Sequence, residues 1–175
     1  MWSSRSGALY KLCGLEDRWV PERFRMLPRR RRAVADKTTR AVMDEYLQAL
    51  LHGSDFGRFF ATDVVWTTME TGEEVRGRDA VRDLILALHT QAFHAKPELV
   101  NLLTGDTTAM VEAVFVGTHA GDFAGLSATG LQVRLPYCVA YDVAGGSITA
   151  LRAYFPVGAL RSQLAEAGRS VSAPA

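Results

Sequence analysis

The stretch Leu131–Phe155, LQVRLPYCVAYDVAGGSITALRAYF, decides the fold. Leu131, Val133, Leu135, Tyr137, Val139, Tyr141 and Val143 share one parity, while Gln132, Arg134, Cys138 and Asp142 share the other. Side chains on a strand point to opposite faces in turn, so the pattern reads as a strand with one nearly apolar face. Gly145-Gly146 is a tight-hairpin signal, and SITALRAYF returns as a second strand. The apolar face bears only two phenol hydroxyls and is either packed core or the wall of a greasy pocket.

Upstream, PELVNLLTG and TAMVEAVFVGTH flank a Gly105-Asp106 turn and read as two more strands. Before them the period changes to that of helices. Val42, Met43, Tyr46, Leu47, Leu50 and Leu51 form an i, i+3/i+4 stripe, with Asp36 or Thr38 able to cap its start and His52-Gly53 to stop it. SDFGRFFATD reads as a short helix or turn and VVWTTM as a strand. GRDAVRDLILALHTQAF is a second helix, with Val81, Leu84, Ile85 and Leu88 on one face, and VGALRSQLAEAG a short C-terminal one. Helices followed by antiparallel strands predict an α+β domain whose sheet packs one face on helices.

The chain has 175 residues, 48% hydrophobic and 22% charged, with net charge +1. This size buries roughly two-thirds of the unfolded surface, enough for one core without metal or disulfide staples. Cys13 and Cys138 stand far apart and imply neither a disulfide framework nor a zinc site, so a cytoplasmic location is expected. No apolar run reaches bilayer-spanning length, so no membrane partner is expected. Residues 1–35 hold the run Arg29–Arg32 with Pro21 and Pro28. They read as a solvated, disordered leader, with Met26 a candidate start, rather than as a nucleic-acid arm. The domain is expected over 36–168, with 169–175 frayed.

Between two strands lies GTHAGDFAGLSATGLQVRLP, Gly117–Pro136. Its glycines do not fit a dinucleotide fingerprint, no P-loop Lys-Ser/Thr follows, and a strand rather than a helix comes next. It reads as a connection across a pocket mouth, with Gly121, Gly125 and Gly130 at tight turns and Phe123 as an apolar plug.

Together with VRGRDAV (Val75–Val81), GGSI and LRAYF, this segment resembles the SnoaL-like polyketide cyclases of the nuclear transport factor 2-like superfamily. Gly117, Thr118, His119, Gly121, Phe123, Gly125, Thr129 and Gly130 carry the likeness, which spans roughly Asp36 to Ala165. It implies a cone of about three N-terminal helices packed on a curved, mainly antiparallel sheet. It also implies a cofactor-independent enzyme with a deep apolar pocket, often a homodimer through the sheet, acting on a small apolar organic substrate by cyclisation, isomerisation or dehydration. In such a pocket a desolvated carboxylate takes a carbon-bound proton and hydroxyl or imidazole donors hold the enolate oxygen. The usual aspartate position falls here at Val139, and another usual polar pair reads Thr67-Thr68.

The candidate catalytic residues are therefore His119, Glu70, Tyr46 and Tyr141. His119 is an acid/base or a packed histidine, Glu70 a substitute carboxylate or a loop acid, and the two tyrosines phenolic donors or core. Trp66, Phe115, Phe123, Tyr137, Val139, Leu151 and Phe155 are the expected substrate-binding wall. His89 and His94 lack a neighbouring ligand set, so no metal is expected. Arg134 and Arg152 read as outward charges and Cys138 as a small buried hydrophobe.

Overall fold

The computed structural model describes residues 37–171; the arginine-rich leader and the last four residues lie outside the described residues. The elements run α1 (Thr39–Leu51), β1 (Phe60–Thr68), β2 (Glu74–Arg76), α2 (Arg78–Leu86), β3 (Phe93–Thr104), β4 (Thr108–His119), β5 (Gln132–Ala144), β6 (Ser147–Tyr154) and α3 (Val157–Val171). The architecture is α+β, and the strands form one six-stranded curved sheet in the order β2-β1-β6-β5-β4-β3. All described neighbours are antiparallel except β1 and β6, which run parallel.

Local chemistry sets most of the element ends. The Thr38 side chain accepts from the Ala41 N–H and starts α1, whose Val42, Met43, Tyr46, Leu47 and Ala49 are buried. Gly53, at φ +67°, ends it. A 3₁₀ turn at Gly57–Phe59 leads into β1, which starts at Phe60 rather than at Val64. Phe60 is fully buried and pairs with Ile148 on β6, a tertiary contact that draws it into the sheet. The third α-helix, α3, follows the sheet instead of preceding it, and the Glu70 carboxylate accepts from the Gly158 N–H in its first turn.

The second helix departs from its amphipathic pattern, which continues to Phe93. From Ala87 to Ala92 the chain widens into a π-helical turn. There the His89 Nδ1 and the Thr90 Oγ1 donate to the carbonyls of Ile85 and Leu86 at 2.8 and 2.7 Å. Phe93 then opens β3. Such π turns rotate the following side chains off the helical stripe and recur at functional sites.

Alternation on β5 holds: Val133, Leu135, Val139, Tyr141 and Val143 are buried on the inner face, and Arg134 and Asp142 stand on the outer one. Two apolar clusters fill the inner side. One gathers Tyr46, Phe56, Phe59, Phe60 and Ile148; the other gathers Phe93, Phe115, Phe155, Leu160 and Leu164. Tyr137 packs against both, and the space between them is a cavity.

Gly117 on β4 pairs with Ala95 on β3, and a Cβ there would lie 2.7 Å from the Ala95 Cβ and 3.0 Å from the His94 carbonyl. Gly117→Ala should destabilise by about 1–3 kcal/mol through backbone displacement. Denaturant unfolding checks this, and a midpoint equal to wild type would contradict the close pairing.

Candidate functional site

The cavity measures about 300 Å³ and is walled by side chains from all parts of the domain. Tyr46 and Leu50 come from α1, Trp66 and Thr68 from β1, and Leu84, Ile85, Leu88 and His89 from α2 and its π turn. Phe115 comes from β4, Tyr137, Val139 and Tyr141 from β5, Ala153 from β6, and Phe155 and Val157 from the approach to α3. Phe123 and Ala124 of the glycine-rich connection complete the wall. Tyr46 and Tyr141 are buried and mark the deep end; Thr71 and Glu73 are exposed and mark the rim. The size suits a small organic molecule.

At the deep end the rings of Tyr46 and Tyr141 meet edge-on, with centroids 5.7 Å apart. Burial pushes the Tyr46 phenol far above its ordinary value, partly offset by the Tyr141 hydroxyl. Burial does the same to Tyr141 and pushes Tyr137 up to about 12. All three stay protonated at neutral pH and can donate. The Trp66 indole N–H is taken by Thr68 Oγ1 at 3.1 Å.

The half-buried His89 and the buried His119 have opposite tautomers, fixed by their partners. A carbonyl only accepts, so His89 carries its proton on Nδ1 towards Ile85, and Nε2 is a bare lone pair. For His119 the Thr129 N–H donates to Nδ1 at 3.2 Å, with the Thr129 hydroxyl on the same nitrogen at 3.0 Å. Its proton therefore sits on Nε2. Both Nε2 atoms are buried without a partner among the described residues. Burial pushes both imidazoles below 6.5; the Ile85 carbonyl partly offsets this in His89, and Gly121 and Asp122 do so in His119.

The structure separates the expected site residues. Tyr46, Tyr141, Trp66, Phe115, Phe123, Tyr137, Val139 and Phe155 come together around the cavity, whereas His119, Glu70 and Leu151 are not on its wall. His119 lies against Phe93, with centroids 5.1 Å apart, and staples the connection at Thr129. Glu70 faces the α3 N-terminus, where its carboxylate accepts from the Gly158 N–H and meets the helix dipole. Leu151 is buried in the core beside Tyr141 on β5. Asp142 is held by Arg152 through two 2.7 Å bonds, and Arg134 pairs with Glu98 on the outer face.

Reading the sequence missed His89 and Glu73. His89 lies four residues after Ile85 and eight after Val81, on the buried stripe, and that spacing was the available signal. Glu73 is the one carboxylate on the cavity lining; nothing in EEV distinguished it from its neighbours. Among the described residues no group of His, Cys, Asp or Glu could hold a metal ion, and no helix is long and apolar enough to cross a membrane.

Comparison with known proteins matches residues 43–151 to the family pattern of the SnoaL-like domain. No curated protein matches by sequence. Among solved structures, a candidate SnoaL-like polyketide cyclase of Jannaschia sp. CCS1 superposes with a TM-score of 0.67 at 14% identity, over 83% of this chain and 99% of that one. A candidate polyketide cyclase of Xanthomonas campestris gives 0.59 at 23% identity, covering 73% and 95%. A candidate ketosteroid isomerase of Kribbella flavida gives 0.54 at 21%, covering 67% and 77%. At these identities the likeness concerns the fold.

Because His89 and His119 are held neutral, the unfolded chain binds more protons once the pH falls below 6.5. The stability they confer is complete above that value and is lost as pH falls towards their folded values, at up to about 1.4 kcal/mol per pH unit for each group. Urea midpoints measured down an acid series should fall accordingly, and His119→Asn should flatten the slope. An unchanged slope in that variant would count against the neutral, buried histidine.

Proposed function

The chain belongs to the SnoaL-like domain family, and on that premise we propose that it is a cytoplasmic, cofactor-independent enzyme acting on a small apolar carbonyl compound. The reaction is acid/base chemistry of the cyclisation, isomerisation or dehydration type. One observation carries the reading: two adjacent neutral phenols, Tyr46 and Tyr141, close the deep end of an apolar cavity. A carbonyl oxygen seated there accepts from them, and when a neighbouring C–H bond loses its proton, the charge gathers on that oxygen. Fixed donors in a dry, low-dielectric site stabilise that charge more than they stabilise the neutral carbonyl. His119 contributes by holding the connection that brings Phe123 and Ala124 to the wall, not by touching substrate. Glu70 contributes through α3.

A second reading, a ligand-binding module without turnover, is favoured by Val139: the wall is apolar where the family resemblance leads one to expect an aspartate. Exchange of the α-protons of 2-tetralone in D₂O, followed by NMR, separates the two. Tyr46→Phe and Tyr141→Phe should each slow exchange by about a hundredfold, the effect of losing one oxyanion donor, while folding cooperatively. Binding of 2-tetralone by wild type with no exchange would establish the module instead.

The outer sheet face exposes Leu103 (60%) and Met110 (41%), paired on β3 and β4, and Tyr154 (49%) on β6 beyond β5. These residues support a homodimer through the sheet, since large apolar side chains grouped on a surface favour a partner. Sedimentation should give twice the chain mass, and Met110→Lys should return it to one. A wild-type monomer at all concentrations removes the dimer and leaves the pocket reading intact.

A further inference from the structure

The phenols account for one end of the cavity and leave His89 unexplained. Its ring forms part of the wall and rests against Phe115, with centroids 5.6 Å apart. Nδ1–H is committed to Ile85 at 2.8 Å, so Nε2 has only a lone pair to offer. That nitrogen is buried and receives no hydrogen bond from any described residue. Native structures pair most buried acceptors, and an exception in a cavity wall calls for a donor from elsewhere. The other unpaired nitrogen, on His119, is an N–H lying against Phe93 away from the lining.

We propose that His89 Nε2 is the proton acceptor of this pocket, and that the ligand is a compact apolar compound carrying a hydroxyl or enol donor as well as a carbonyl. The inference rests on the pocket reading above and adds the ligand class to it. The two polar ends are complementary: the phenols donate to an oxygen, and Nε2 accepts from an O–H. In the reaction the carbon beside the carbonyl, in place of the O–H, faces this lone pair and gives up its proton to it. The C–H bonding pair shifts into the enolate, whose oxygen charge the phenols hold, and an Nε2–H bond forms. The imidazolium then returns that proton to the same carbon, or to the γ-carbon where a conjugated double bond extends the enolate, so no co-reactant is consumed.

The surroundings of His89 suit this role. The neutral phenols of Tyr46, Tyr137 and Tyr141 share the cavity lining with it, and Glu73 stands at the rim. On the outer side the ring borders a surface groove with His94, Lys96 and Glu98, and Glu98 is paired with Arg134 at 2.7 Å. No carboxylate forms an ion pair with the imidazole among the described residues, so it stays uncharged and its lone pair remains available at neutral pH.

The test compares 2-naphthol, an aromatic analogue of an enol, with 2-methoxynaphthalene, which has the same ring system and no donor. Titration of the full chain should show naphthol binding about tenfold more tightly, the effect of one added hydrogen bond to a buried acceptor. His89→Leu should abolish that preference while still binding the methoxy compound. Independently of any variant, the ¹⁵N resonance of His89 Nε2 in wild type should move upfield on adding naphthol and stay put with the methoxy probe. Equal affinity for the two probes in wild type, an unmoved resonance, or a preference that survives in His89→Leu overturns the His89 assignment and leaves the cavity reading standing. Failure of both probes to bind wild type removes the cavity reading and this inference together.

Discussion

The contact between Tyr46 on α1 and Tyr141 on β5 is the interaction on which the domain turns. Tyr46 also meets Phe56, Phe59 and Phe60 within 6.4 Å, so one side chain ties the first helix, the 3₁₀ turn, β1 and β5 into a single aromatic cluster. Edge-to-face pairs of this kind add about 0.5–1.5 kcal/mol each beyond their buried area. The same contact leaves two phenols on the wall of an apolar cavity. Packing and chemistry therefore share one pair of residues, which is why removing only the hydroxyl, and not the ring, separates the two contributions.

The opposite side of the cavity is organised by two histidines with different duties. His119 accepts from the backbone of Thr129 and fastens the far end of the glycine-rich connection to β4. At the near end, the N–H groups of Ala120 and Gly121 both bond the Ala92 carbonyl at the close of the π turn. Gly121 has no room for a side chain there, since a Cβ would lie 2.4 Å from the Gln91 carbonyl. Between these anchors, Ala124 at φ +50° and Gly125 at φ +79° make the two-residue reversal that pairs Phe123 with Leu126. The connection and the π turn are thus locked side by side, and each supplies one wall: Phe123 from the first, His89 from the second.

Much of this was legible residue by residue. Strand alternation in Leu131–Val143, the Gly145-Gly146 reversal and the α1 stripe depend on neighbours two to four residues apart, and all three appear where the sequence places them. Tyr137, Val139 and Tyr141 followed from strand parity and Tyr46 from the helical stripe, since the inner face of each element is defined by counting. Glu70 and Glu73 were beyond such reasoning. Both sit around the β1–β2 turn, and only the position of α3, some ninety residues later in the chain, assigns one to a helix end and leaves the other at the cavity rim.

By itself, then, the sequence determined the fold class, the family and which faces of the strands are buried, because these rest on periodicity and on a motif read from contiguous residues. Tertiary structure decided which polar groups share the cavity. A helical pattern that runs unbroken to Phe93 gives no sign that the chain widens at Ala87, where His89 lines the cavity with its Nε2 unpaired. In the same way a histidine on an apolar strand face reads alike whether it lines a pocket or pins a loop, and the partner His119 meets is the Thr129 backbone, ten residues away. The direction in which an imidazole offers its proton is set by the partner that the fold brings to it, and no local pattern encodes that partner.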